Sequence, residues 1–401
     1  MLAMAACADG EAVAADERTY QLGYSAHLDP SSGMADVEIS VSQAAHVLRA
    51  LDFNAPASRF TGFEGNGDIA VDSERVLWTV PASGGSLRFK ATIDHLRGNV
   101  HDARITDSWA VLRLDDLFPA ARTRALKDAA AEATVSFSGP ENWRFETPYG
   151  PSNKDVHSVA RDKLFPRPVG WMLAGDIGVR RDRIAGRRVA VAAPVGEGFR
   201  RQDTLAFLRW TLPALIEVFP GFSDRLLIVG SGIDMWRGGL SAPGSLYLHP
   251  HRPLISGNGT STLLHELVHV AVGSLDGPRD DWLVEGLAEY YALELLRRTG
   301  GISQRRFEGA LTELEQWAAR ENARLTDPST GANTAYAVGV FRTLAGQLER
   351  AGSSLDALVE ALLARGLTGG DLQASLTALG VSVQLPELPP AKRAPEQEIA
   401  E

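Results

Sequence analysis

The chain has 401 residues, 44% hydrophobic and 22% charged, with a net charge of -10. That length favours two domains over a single core, and the composition is that of a folded chain rather than a disordered one. The acidic balance excludes a global basic field for nucleic acid, and the one cysteine, Cys7, excludes both an intramolecular disulfide and a cysteine-based zinc site.

Residues 1–18 read as a leader or as a truncated lipoprotein-type signal. "MAAC" is similar to the end of a bacterial lipoprotein signal, in which the cysteine carries the lipid, although the basic n-region is missing. The signal reading places the protein in the bacterial cell envelope or periplasm with a lipid anchor at Cys7. The leader reading leaves it cytoplasmic. No run reaches about 18 uninterrupted apolar residues, so no transmembrane helix is expected.

From Thr19 the apolar residues alternate: Tyr20, Leu22, Tyr24, Ala26 and Leu28, then Val37, Ile39 and Val41, then Leu87, Phe89, Ala91 and Ile93. Turn signals such as "DPSSGMAD" and "EGNGD" separate these runs. The pattern predicts an antiparallel β-sandwich or saddle over 19–150, with "PAARTRALKDAAAEA" (Pro119–Ala133) as an inserted helix. A polar, irregular stretch over 151–166 marks a domain boundary.

A second domain is expected over 165–382, a small β-sheet followed by a mostly helical half, which makes the fold class α+β. "RRVAVAAP", "RLLIVG" and "GSLYLHPH" read as strands, and "TLAFLRWTLPALIEVF" as a helix that Pro213 bends or splits. From Thr260 to Leu379 the signal is helical. The tail over 383–401 is Pro-rich and charged and is expected to be disordered.

The chemistry concentrates in "HELVH" (His265–His269) and "WLVEGLAEYY" (Trp282–Tyr291). Residues four apart on a helix share a face, so His265 and His269 can address one point as two ligands of a zinc ion. Glu266, rotated by about 100° from His265, flanks that face, where a carboxylate can take a proton from an activated water. Ser256, Thr260 or Ser261 would cap this helix. The second helix opens with acids and closes with two arginines, and a Gly/Pro-bearing loop before it can reverse the chain, setting Glu285 opposite the histidines. Glu289, one turn on, is either the third ligand itself or an acceptor that holds a ligating imidazole by its other ring nitrogen.

These two segments resemble the gluzincin zinc metallopeptidases, especially the glycyl aminopeptidase-like family and its relatives, the alanyl and leucyl aminopeptidases. The resemblance spans roughly 249–379. It implies a thermolysin-like catalytic domain, with the glutamate of Trp-x-x-Glu-Gly as third zinc ligand, here Glu285. "NTAYAVGVFRTL" is similar to the helix start that carries the family's catalytic tyrosine, which makes Tyr336 the donor to the oxyanion. The aminopeptidases also carry Gly-x-Met-Glu-Asn upstream. Here Gly239 and Leu240 open the corresponding segment, and Ala242 stands where the amine-binding glutamate belongs. The backbone edge can still pair an extended peptide, but aminopeptidase specificity does not carry over.

The expected activity is therefore zinc-dependent hydrolysis of peptide bonds through a zinc-activated water, with Glu266 as general base, His265, His269 and Glu285 as ligands, and a peptide or protein as substrate. Exo- and endo-cleavage stay open. The rival readings are a catalytically inactive gluzincin-fold peptide-binding or envelope protein, and a zinc hydrolase acting on a non-peptide substrate. His249 and His251 read as strand-end or turn histidines. Asp276, Asp280 and Asp281 read as loop and helix-start charges.

Overall fold

The alternating runs form strands in the computed structural model, which describes residues 18–152, 156–159, 164–232, 234–273, 281–325 and 331–382. Cys7 with the rest of the leader, Asp276 and Asp280 of the inter-helix loop, and the tail from 383 lie outside the described residues. The chain divides into two compact units, Met1–Asp176 and Ile177–Glu401.

The first unit is built of sheets. One six-stranded sheet runs in the order His157–Ser158, Ala130–Ser138, Thr19–Asp29, Met34–Ser42, Gly84–Thr92, Phe60–Gly65. A second runs Gly150–Ser152, Arg144–Thr147, Trp171–Gly175, Trp109–Arg113, Val100–Ile105, His95–Arg97, and a four-stranded sheet runs Ala121–Ala125, Leu48–Asn54, Arg75–Thr79, Asp68–Val71. Every other side chain of Thr19–Asp29 and Met34–Ser42 is buried, in a core that includes Trp78, Phe118 and Phe137. The period-two pattern thus marks the buried face of each strand.

Two expectations change here. Pro119–Ala133 is not a helix: it supplies the strand Ala121–Ala125 and the start of Ala130–Ser138. Alanine favours a helix locally, but Ala131, Ala133, Val135 and Phe137 alternate into the core, and Thr19↔Ala130 opens a parallel register with the first strand. Non-local pairing overrides propensity, and Asp128, at φ 60°, makes the turn between the strands. The unit boundary also falls later than the polar stretch suggests. Trp171–Gly175 belongs to the first unit because it pairs with both Trp109–Arg113 and Arg144–Glu146.

The second unit has a five-stranded sheet in the order Ile177–Ile184, Arg187–Pro194, Arg225–Gly230, Ser245–Leu248, Gly239–Ala242. The middle three strands are parallel and the outer two antiparallel to their neighbours, so Gly239–Ala242 is a terminal strand. Helix α1, Arg201–Val218, runs through Pro213 without splitting, because Leu205, Leu208, Leu212 and Leu215 hold one continuous face in the core. The helical half comprises α2 (Thr262–Val272), α3 (Asp281–Arg298), α4 (Gln304–Arg320), α5 (Gly331–Arg350), α6 (Leu355–Arg365) and α7 (Gly369–Ala378).

Candidate active site

Helix α2 starts where Ser261 Oγ accepts a hydrogen bond from Leu264 N, the capping role that the sequence allowed three residues. Its apolar side, Leu263, Leu264, Leu267 and Val268, is buried in the helical core. The face that this fixes carries His265 and His269, whose Nε2 atoms lie 3.1 Å apart. Helix α3 begins at Asp281 and ends on Arg297 and Arg298, in the sense its dipole favours. It brings Glu285 Oε2 to 3.5 Å from His265 Nε2, and Oε1 to 3.5 Å from His269 Nε2.

The residue after Glu285 explains how α3 comes so close to its neighbour. A Cβ on Gly286 would sit 2.6 Å from Ala337 Cβ and 2.9 Å from a ring carbon of Phe341 on α5. Only a glycine permits that crossing. Tyr336, next to Ala337 on α5, is half-buried against the helical core. It makes no hydrogen bond to the three residues above among the described residues.

Among the described residues, His265, His269 and Glu285 are the one group of three or more His, Cys, Asp or Glu whose donor atoms converge within 4.8 Å. Donors about 2.0–2.1 Å from a tetrahedral zinc stand about 3.3 Å from one another. Separations of 3.1, 3.5 and 3.5 Å match that edge. Two imidazoles and one carboxylate are also a donor set suited to zinc. The trio fits such an ion.

Glu289 reaches a different atom. Its Oε2 lies 2.9 Å from His265 Nδ1, the nitrogen turned away from the trio. Burial works against charge on both His265 and Glu285, but the hydrogen bonds between them prevail. Glu285, held by His265 and His269, stays well below the usual carboxylate range, while Glu285 and Glu289 raise His265 to about 10.

Glu266 sits beside the pair, only 8% exposed, and burial pushes its carboxyl up against the pull of the two imidazoles. It lies beneath the terminal strand: a Cβ on Gly239 would stand 2.4 Å from Glu266 Cγ and 2.7 Å from Oε1. Ser241, two residues on and therefore on the same strand face, places its hydroxyl against the same carboxylate. Leu240, between them, belongs to the opposite face. Gly239 thus has a packing role under the strand that its reading as a peptide-pairing edge did not foresee. Ser241 did not stand out in the sequence, and Gly286 entered only as the last residue of Trp-x-x-Glu-Gly, with no packing role read for it. For Gly286 a signal was present, a glycine in mid-helix directly after an acid.

His249, set aside as a strand-end residue, is buried just beyond Ser245–Leu248, and its Nδ1 accepts a hydrogen bond from His251 N. His27, His46, His95, His101 and His157 join no converging group among the described residues.

No family profile matches the sequence. No curated protein matches it either. Solved structures do share its fold. An aminopeptidase N family protein from Idiomarina loihiensis aligns over 86% of this chain and 70% of its own, with a TM-score of 0.65 and 14% identity. A mutant M1 zinc metallopeptidase from Deinococcus radiodurans, bound to a Tyr-Ser-Ala substrate, aligns over 93% and 95% of the two chains, with a TM-score of 0.53 and 17% identity. Native yeast LTA4 hydrolase aligns over 90% of this chain and 64% of its own, with a TM-score of 0.57 and 14% identity. At these identities the likeness is one of fold: a β-rich N-terminal domain followed by a helical C-terminal domain, the two-domain architecture of the M1 zinc aminopeptidases.

Proposed function

We propose that the chain is a zinc-dependent peptidase. The observation that carries this reading is the convergence of His265, His269 and Glu285 on one point with the buried carboxylate of Glu266 alongside. A structural metal site needs no such base; a hydrolytic one does.

His265, His269 and Glu285 would hold the ion, which supplies Lewis acidity toward the scissile carbonyl and the attacking water. The remaining work falls to the chain's own residues. Glu289 orients the His265 ring through Nδ1. Glu266, with its carboxyl raised by burial, accepts the proton of the attacking water and returns it to the departing amine. Tyr336 offers a phenol to the oxygen on which charge develops. The terminal strand Gly239–Ala242 pairs with an extended peptide and sets its register over Glu266. The same fold occurs in a metallopeptidase bound to a Tyr-Ser-Ala substrate, which supports a peptide as the bound molecule.

The deciding experiment pairs zinc analysis with hydrolysis of N-blocked and unblocked peptide mixtures by the full chain and by Glu266→Gln. The expected result is one zinc per chain in both proteins, with turnover in the variant down by about 10²–10⁴-fold. Undiminished activity in the variant would remove Glu266 from the chemistry. Bound zinc without turnover on any peptide would favour a binding protein or a non-peptide substrate.

A further inference from the structure

The terminal strand begins in an unusual electrostatic setting. The Arg237 carbonyl, just before Gly238 and Gly239, accepts a hydrogen bond from Arg252 Nε at 2.6 Å. Arg252 N donates to the His249 carbonyl, and His249 N to the Gly238 carbonyl, both at 3.0 Å. The His249 and His251 rings meet edge-on at 5.0 Å. Two guanidinium side chains and two imidazoles are thereby gathered at the mouth of the strand that covers Glu266. Arg237, His251 and Arg252 are exposed, while His249 beneath them is 1% exposed.

The setting is one-sided in charge. Elsewhere in this unit arginines meet carboxylates, as Arg187 meets Asp224 and Arg209 meets Asp182. Among the described residues no carboxylate pairs with Arg237, His251 or Arg252, in a chain whose net charge is -10. Burial first, and then the positive surroundings of His251, Arg237 and Arg252, hold the His249 imidazole below its usual range. Because His249 Nδ1 accepts from His251 N at 3.2 Å, its N–H is on Nε2. The Gly232 backbone lies against this buried imidazole. Guanidinium groups with no carboxylate paired to them among the described residues, beside the strand that would align a substrate, can receive an anion.

We propose that Arg237, His251 and Arg252 form a carboxylate-recognition subsite, so that the preferred substrates are peptides carrying a carboxylate on the side of the scissile bond that lies toward Gly238. This rests on the peptidase reading above and adds a substrate class to it. The carboxylate belongs to an acidic side chain or to the peptide's C-terminus; the two present the same group to the same guanidinium forks.

The test compares kcat/KM of the zinc-loaded full chain on amidated peptides that differ only in Glu or Gln at each position, and on a Gln peptide with a free or amidated C-terminus. The carboxylate peptide should be favoured by about tenfold, mainly through KM and less so at high salt. Arg237→Gln should shrink that ratio several-fold, and Arg237→Glu should transfer the preference to Lys at the same position. The two arms identify the source of the carboxylate. Equal rates for all pairs in the unmodified chain, or a ratio unaltered in both variants while they melt like the parent, would overturn the subsite. If no peptide is hydrolysed, the peptidase reading fails separately. Titrating the same peptides into zinc-loaded protein then tests the subsite alone, with equal affinities overturning it.

Discussion

Gly239 and Glu266 are packed so closely that a single methyl on the strand would overlap the carboxylate, at 2.4 Å from Cγ. The terminal strand and α2 are thus fitted to one another at the residue that would carry the proton.

Gly239→Ala should therefore displace Glu266 while leaving the ligand trio in place. Overpacking of this kind destabilises by about 1–3 kcal/mol. The expected outcome is normal zinc content, a slightly lower melting temperature and a kcat reduced by about a hundredfold. Unchanged kcat would show that Glu266 acts from elsewhere.

The two acids of α3 should separate in a metal assay. Glu289→Ala removes a partner of a ligating imidazole and should weaken zinc by about 10–100-fold. Glu285→Ala removes a donor from the trio itself and should weaken it by about another order of magnitude or more. Competition against a chromogenic chelator gives the ranking, and the reverse order would move the third ligand to Glu289.

Zinc affinity should also depend on pH with a definite sign. Glu285 and Glu289 raise His265 to about 10, so below that pH the ion must displace a proton, and apparent affinity should rise about tenfold per unit as pH climbs toward that value. Stability of the chelator-treated protein should move the opposite way. The raised His265 contributes fully below its ordinary value of 6.5 and loses that contribution as pH rises through about 10. Glu285, held low, contributes above its ordinary 4.5 and loses that contribution as pH falls through its depressed value. Melting of the chelated chain should peak between those two ordinary values on this account; a flat profile would contradict the coupling.

Away from the site, Glu294 is a structural pin. It is 6% exposed and receives Arg297 at 2.6 and 2.7 Å and Arg298 at 2.7 Å. Arg298 in turn grips Asp356 of α6, which also accepts from the Tyr291 hydroxyl at 2.7 Å. Glu294→Ala removes the acceptor shared by two partly exposed arginines, of which Arg298 keeps Asp356, and should destabilise by about 1–3 kcal/mol. Denaturant unfolding followed at the helical signal measures it.

The candidate site was legible because helical spacing is local. His265 and His269 share a face by arithmetic, and the charge polarity of "DDWLVEGLAEYYALELLRR" announced α3. The strands of the first unit were legible for the same reason, through period two. What escaped was everything set by distant partners. Ala130–Ser138 is a strand because Thr19–Asp29 lies beside it, and nothing within Pro119–Ala133 announces that pairing. Trp171–Gly175 closes a sheet begun some sixty residues earlier, at Trp109–Arg113. Arg237 and Arg252 lie on either side of a strand pair, so their convergence becomes visible only when the chain is folded.

The glycine that follows Glu285 has a wider consequence. It lets α3 rest directly on α5, so the helix that carries Glu285 is seated from the side away from the imidazoles. A side chain at 286 would lift α3 off that support and carry the carboxylate with it, so the donor set can be disturbed without changing a single ligand.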